Sequence, residues 1–298
     1  MKIKRDIHQE VTDKIITAIE AGTAPWMKPW AGACGFEAPR RQTGEYYQGV
    51  NVLLLWMAAD ENGYFADQWM TFKQAKNLGA NVRKGEKGTQ VVYYSTFERD
   101  SKMIDAKGSA IKESIPFLKS YTVFNVQQIE NLPEKYAAVL PENIDTGTRS
   151  IDELESFFNS VGVRVCIDGQ SPKYRPLTDT VYMPFINQFK DAASYYAILA
   201  HETIHWTGHT SRLDRLKKYG NKEGRAFEEL IAELGACFLS ARIGNQYDNN
   251  RSANYIEGWL TALRSDKKYI FQAASKASKG VAYIIDAADQ DSTQAIAA

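Results

Sequence analysis

The sequence predicts an α+β fold divided between two domains, and three observations carry that prediction. The 298 residues exceed one typical domain. Residues 1–130 mix short β-like runs ("TQVVYYSTF", "KSYTVFNV") with helical ones ("TFKQAKNLG"). Residues 131–150, "NLPEKYAAVLPENIDTGTRS", hold two prolines, a glycine and no sustained period, the composition of a linker. The expected division is therefore an N-terminal domain over 1–130, a linker over 131–150 and a second domain over 151–298.

The elements follow in order. Ile3, Ile7, Val11, Ile15 and Ile19 recur every four residues and predict one helical face over 3–21, with Gly22 as its stop. Four of the six tryptophans, Trp26, Trp30, Trp56 and Trp69, fall in the N-terminal domain. Past the linker, Ser150 followed by Glu153 reads as a capping box opening the helix "SIDELESFFNSVG". Two short strands come next, "VRVCIDG" and "DTVYMP", then helices near 190–208, 223–243, 253–265 and 267–288. The tail "DQDSTQAIAA" is expected to fray.

Composition narrows the function. A hydrophobic fraction of 44% and a charged fraction of 24% suit a soluble protein with real cores. Thirty-six basic and 36 acidic residues cancel, so no global field draws the chain to nucleic acid, and only local basic patches remain open. Cys34, Cys166 and Cys237 are odd in number, widely spaced and outside any C-x-x-C pair, as expected of reduced thiols in a cytoplasmic protein. "MKIKRDIHQEV" lacks the apolar core of a secretory signal. "VNVLLLWMAA", the longest apolar run, is too short to span a bilayer, so no membrane is expected as a partner.

The chemistry concentrates in "AILAHETIHWTGH", residues 197–209, which holds three of the four histidines. His201, Glu202 and His205 spell H-E-x-x-H. On a helix the two histidines share a face and can chelate one ion, while Glu202 can act as general base toward an attacking water. A catalytic zinc needs a third protein ligand. His209 lies four residues past His205, but Gly208 tends to end the helix before it. The H-E-x-x-H-x-x-G-x-x-H pattern fails because Ser211 occupies its last position. The run "FEELIAELGACFLSARIG" offers Glu228, Glu229 and Glu233. Glu233 has the most apolar neighbours and so most needs a cation. The expected ligands are His201, His205 and Glu233, with Glu229 as an alternative ligand or a partner orienting a histidine. Two imidazoles and a carboxylate suit zinc best and also accept manganese or iron.

The N-terminal half carries local basic spots beside aromatic rings. "RRQTGEYY" sets Arg40 and Arg41 near Tyr46, and "NVRKGEKGTQ" sets Arg83, Lys84 and Lys87 around two glycines. Pro25 and Pro29 keep Trp26 and Trp30 in an extended segment. Cations on phosphates with rings stacked on bases hold single strands in this way.

These residues resemble a known family. "AHETIHWTGHTSRLDR" followed by "FEELIAELGACFL" is similar to the metallopeptidase domain of plasmid-encoded ArdC-type antirestriction proteins. "APWMKPW", "GEYYQGVNVLLLW", "WMTFKQAKNLGANVRKGEKGTQVVYY" and "YTVFNVQQIENLP" resemble the single-stranded-DNA-binding domain that this family shares with the N-terminal part of TraC-type plasmid primases. The pattern Glu233-x-x-Ala236-x-Phe238 is similar to the third-ligand helix of gluzincin-type ImmA/IrrE-like peptidases. The resemblance implies a zincin-like second domain and a protein that shields conjugating single-stranded DNA from host restriction. The competing reading is an intracellular zinc metallopeptidase whose N-terminal domain recruits a host protein as substrate. A third keeps the metal purely structural, which requires a fourth protein ligand such as His209.

Overall fold

The computed structural model describes residues 6–22, 37–104, 110–136, 151–168, 171–219, 221–245 and 255–297. Helix α1 (Ile7–Glu20) starts where the Asp6 side chain accepts the Gln9 N–H, and it buries Val11, Ile15 and Ile19 on one face. Ile3 lies outside the described residues. Strand β1 (Arg40–Arg41) leads into α2 (Val50–Asn62), apolar on every side and buried accordingly. Then come β2 (Gln68–Met70), α3 (Phe72–Asn77) and β3 (Asn81–Val82). A reciprocal Thr71–Gln74 capping box opens α3. The long strands β4 (Thr89–Ile104) and β5 (Ala110–Asn125) form an antiparallel ribbon, and β6 (Ile129–Glu130) pairs with β3. The larger sheet has the order β1-β2-β5-β4. Its open β4 edge is closed at Val92, where the Asn51 amide donates to the Val92 carbonyl and accepts the Val92 N–H.

The second half opens with α4 (Asp152–Ser160). Its N-cap is Ile151 with no side-chain cap, so the expected capping box is not what starts it; Ser150 lies outside the described residues. Asp152, Glu153 and Glu155 in the first turn favour the helix dipole instead. Strands β7 (Val165–Ile167), β8 (Lys173–Arg175) and β9 (Thr180–Met183) form a sheet of order β7-β9-β8. Strand β9, read from "DTVYMP", is therefore the central one, and β8 is an edge. Helices α5 (Ala192–Thr207), α6 (Lys222–Ile243), α7 (Ile256–Ser265) and α8 (Tyr269–Ala297) complete the chain. The tail continues as helix to Ala297 rather than fraying.

The expected linker is only partly described. Within it, Tyr136 is buried with Met70 and Ile129, so N-terminal packing extends past residue 130. The two halves also share one continuous hydrophobic core, in which Leu53 and Leu55 of α2 join Ile204, Leu230 and Ile284. The Trp56 and Phe238 rings meet at 5.7 Å. The Thr12 hydroxyl donates to the Lys267 carbonyl at 2.9 Å, and Glu20 pairs with Arg264 at 2.5 Å, which fastens α1 to the α7–α8 corner.

Helix α5 lies at the centre, with nearly every side chain buried. Ile204 is wedged between two glycines. A Cβ on Gly235 of α6 would meet three Ile204 atoms at 2.8, 2.8 and 2.9 Å, and one on Gly280 of α8 would meet the Thr207 hydroxyl at 3.1 Å. Ile204 is fully buried and has nowhere to swing. Gly235→Ala is expected to lower the melting temperature. Overpacking of typically 1–3 kcal/mol exceeds the roughly 1 kcal/mol of helix propensity that alanine restores. An unchanged or raised melting temperature would show that α5 and α6 are not held this closely.

Candidate metal centre

The Asp191 side chain caps α5 by accepting the Ser194 N–H at 2.7 Å. Two turns further on, the four-residue spacing sets His201 and His205 on one face with ring centroids 4.9 Å apart. Helix α6 brings Glu229 up to both. One carboxylate oxygen lies 3.5 Å from His201 Nε2 and the other 3.7 Å from His205 Nε2. Ligand atoms of these three residues all lie within 4.8 Å of one another, the only such group found among the described residues. They can hold a divalent cation, and two imidazoles with one carboxylate leave a fourth position open.

Each histidine has a second carboxylate behind it. Glu228 Oε1 is 3.2 Å from His205 Nδ1, and Glu233 Oε1 is 3.8 Å from His201 Nδ1. The His201 Nδ1 is buried and has no hydrogen-bond partner. Sequence reasoning made Glu233 the third ligand and Glu229 the alternative; the structure sets Glu229 against both Nε2 atoms and Glu233 against His201 Nδ1. Glu233 is 2% exposed and stands behind His201, whereas the 27%-exposed Glu229 faces the open side.

Arg215 locks the Glu228 side. Its Nε reaches both Glu228 oxygens at 3.1 and 3.0 Å, and its Nη1 donates to the Thr207 hydroxyl at 2.7 Å. Its Nη2 donates to the Ile204 carbonyl. Electrostatics follow from this crowding. Burial alone would depress the His205 pKa, but Glu228 and Glu229 outweigh it and raise it to about 10. Burial pushes Glu229 up, yet the two histidines bring it well below the usual carboxylate range. The cluster is built to hold positive charge, which a divalent cation could supply.

Glu202 is fixed from the opposite direction. Its Oε2 accepts the Tyr174 N–H of the edge strand β8 at 2.8 Å. The Tyr174 hydroxyl donates to Asp179 at 2.7 Å. Arg212 Nη1 donates to Asp179 at 3.1 Å, while Arg212 Nε donates to the Trp206 carbonyl at 2.7 Å and the guanidinium lies 4.0 Å over the Trp206 ring. Arg212 thus staples the C-terminal end of α5 to the edge strand. Sequence reasoning missed Arg212, Arg215, Tyr174 and Asp179, and named Glu228 without a role. Among them, only "TSRLDR" placed just after the motif gave a local signal.

His209 stays outside the cluster. Helix α5 ends at Thr207, and His209 Nδ1 lies 2.8 Å from the Ser211 hydroxyl. Trp26 and Trp30 lie outside the described residues. Arg40 is ion-paired with Asp67. Arg41 lies over the Tyr47 ring at 5.2 Å, and the Tyr46 ring is covered by Arg242 of α6 at 3.8 Å. Arg83 pairs with Glu86 at 2.6 Å while staying exposed, and Lys84 and Lys87 are exposed in the same loop.

A zincin-type H-E-x-x-H helix joined to an aromatic-rich α+β domain defines the class. Residues 5–124 match the N-terminal domain of anti-restriction factor ArdC, and residues 152–276 match a zincin-like metallopeptidase family. The metal-free crystal structure of the antirestriction ArdC protein from plasmid R388 is 44% identical, with a TM-score of 0.84 over 96% of this chain and 99% of that one. Its Mn(II)-bound form is 45% identical with a TM-score of 0.80, over 95% and 98% of the two chains. An uncharacterised protein, y4eC, from Sinorhizobium fredii is 39% identical over 92% of this chain and 90% of its own length. The chain belongs to the ArdC antirestriction family. Two Escherichia coli DNA primases TraC are 37% identical over 93% and 96% of this chain, an alignment that takes in both domains; the chain spans only 27% and 20% of their lengths. No helix of the described residues is long and apolar enough to cross a membrane.

Proposed function

We propose that this protein works in the bacterial cytoplasm as an antirestriction factor that binds single-stranded DNA entering by conjugation and shields it from host restriction, and that its second domain holds one divalent cation. The observation that carries the metal reading is the convergence of His201 Nε2, His205 Nε2 and Glu229 beside Glu202. The Mn(II)-bound R388 relative supports a divalent ion, and this donor set takes zinc, manganese or iron.

When bound, the cation supplies Lewis-acid polarisation of a scissile carbonyl and acidifies water beside it. The chain's own residues do the rest. Glu229, His201 and His205 would fix the cation's place, Glu228 orients the His205 ring from behind, Glu233 stands 3.8 Å behind the His201 ring, and Arg215 holds Glu228. Glu202 is placed to take a proton from the attacking water and pass it to the leaving nitrogen. Edge strand β8 borders Glu202, but its Tyr174 N–H is taken by that carboxylate, so an extended peptide could pair there only by displacing it, which the second reading, a metallopeptidase acting on a host protein, requires.

Conjugation of unmodified DNA into a restricting recipient tests the choice. If shielding is the mechanism, Glu202→Gln protein that still folds and binds metal protects as well as wild type. Loss of protection would transfer the work to hydrolysis.

A further inference from the structure

Arg40 and Arg83, two of the cations expected to take up a single strand, are ion-paired with Asp67 and Glu86. The β4–β5 ribbon supplies a better candidate. Its register pairs Val91 with Tyr121, Tyr93 with Lys119 and Ser95 with Phe117, so these side chains share one face. Tyr94, on the opposite face, is 58% exposed but engaged: its hydroxyl meets His8 Nε2 at 2.7 Å and its ring meets Phe271 edge-on. Tyr93 turns outward and is 41% exposed, its ring edge-on to Tyr121 at 5.9 Å. Lys119 Nζ lies 4.9 Å over the Phe117 ring. At the other end the buried Tyr47 neighbours Tyr121, and the Arg41 guanidinium covers the Tyr47 ring. Glu45 sits 3.9 Å from that guanidinium and offsets it in part.

The geometry points to the row Arg41–Tyr121–Tyr93–Lys119–Phe117, backed by the buried Tyr47, as the platform on which a single-stranded nucleic acid lies, bases on Tyr93 and its neighbours and phosphates on Arg41 and Lys119. The assignment rests on the DNA-binding reading above and deepens it. Rings alternating with cations match the two chemistries of a nucleotide, a flat π-face and an anion. A cation lying on a ring keeps its outward N–H groups for phosphate. With net charge zero, affinity must come mostly from stacking, so the dependence on salt is shallow. Two phosphate contacts give a slope of log affinity against log salt of about −1.4, and one gives about −0.7.

Fluorescence anisotropy of a labelled oligo-dT, on the full-length protein, tests this. Tyr93→Ala is expected to weaken binding roughly 5- to 150-fold, the effect of losing one stacked base. Lys119→Ala is expected to reduce the salt slope by about 0.7. Unchanged Mn(II) binding by both variants reports an intact fold. A duplex should compete poorly, since its bases are already stacked. Wild-type binding that survives Tyr93→Ala overturns the platform and leaves the DNA reading standing. No binding by wild type overturns both. Inorganic polyphosphate displacing the oligonucleotide equally well from wild type and Tyr93→Ala would mark a phosphate-only surface and overturn the stacking.

Discussion

Glu229→Ala is expected to abolish metal binding, whereas Glu233→Ala weakens it without abolishing it. Calorimetric titration of each variant with Mn(II) or Zn(II) measures the difference. The reasoning is geometric. Glu229 is the one carboxylate whose two oxygens approach both Nε2 atoms, at 3.5 and 3.7 Å, so its loss leaves a two-ligand site. Glu233 approaches only the Nδ1 of His201, the nitrogen turned away from the shared space. Residues in that position orient a ligand, and their removal costs roughly 10- to 100-fold in affinity. The reverse ranking, with Glu233→Ala the severe variant, would restore the reading made from apolar neighbours. Equal mild losses would mean that neither carboxylate completes the site.

The helix carrying His201, Glu202 and His205 was legible because an i, i+4 pair on a helix needs no knowledge of the rest of the fold. The choice between Glu229 and Glu233 was not. They share one face of α6, about 6 Å apart along its axis, and which stands level with the histidines depends on how α5 and α6 are docked. That docking is set by close contacts such as Gly235 against Ile204, pairs 31 residues apart whose register no local pattern encodes. The edge strand was missed for a related reason: "DTVYMP" has the stronger β pattern because it is central, and the short "KYR" strand that reaches Glu202 has almost none. Two domains were legible from the breaker-rich stretch after residue 130. Their shared core was not, since the amphipathic period of α1 shows that a face is buried and not what covers it.

The largest stability effect is expected at Arg215. Both Arg215 and Glu228 are about 5% exposed, and their contact also ties down the Ile204 carbonyl and the Thr207 hydroxyl at the end of α5. Removing one partner of such a pair leaves a buried charge uncompensated, at about 3–5 kcal/mol. Arg215→Met should therefore lose about that much in urea unfolding of the metal-free protein. His205 provides a partial substitute partner for Glu228 at 3.2 Å, which places the loss toward the lower end. If the charge left behind is the cause, Arg215→Met combined with Glu228→Leu recovers most of the stability, because well-packed apolar replacements of buried pairs are often neutral or better. The double variant should nonetheless bind Mn(II) roughly 10- to 100-fold more weakly than wild type, since nothing then steadies the His205 ring from behind. Recovery of stability without recovery of affinity would separate the two jobs of Glu228. A double variant that binds metal like wild type would show that the pair serves only to hold α5 in place.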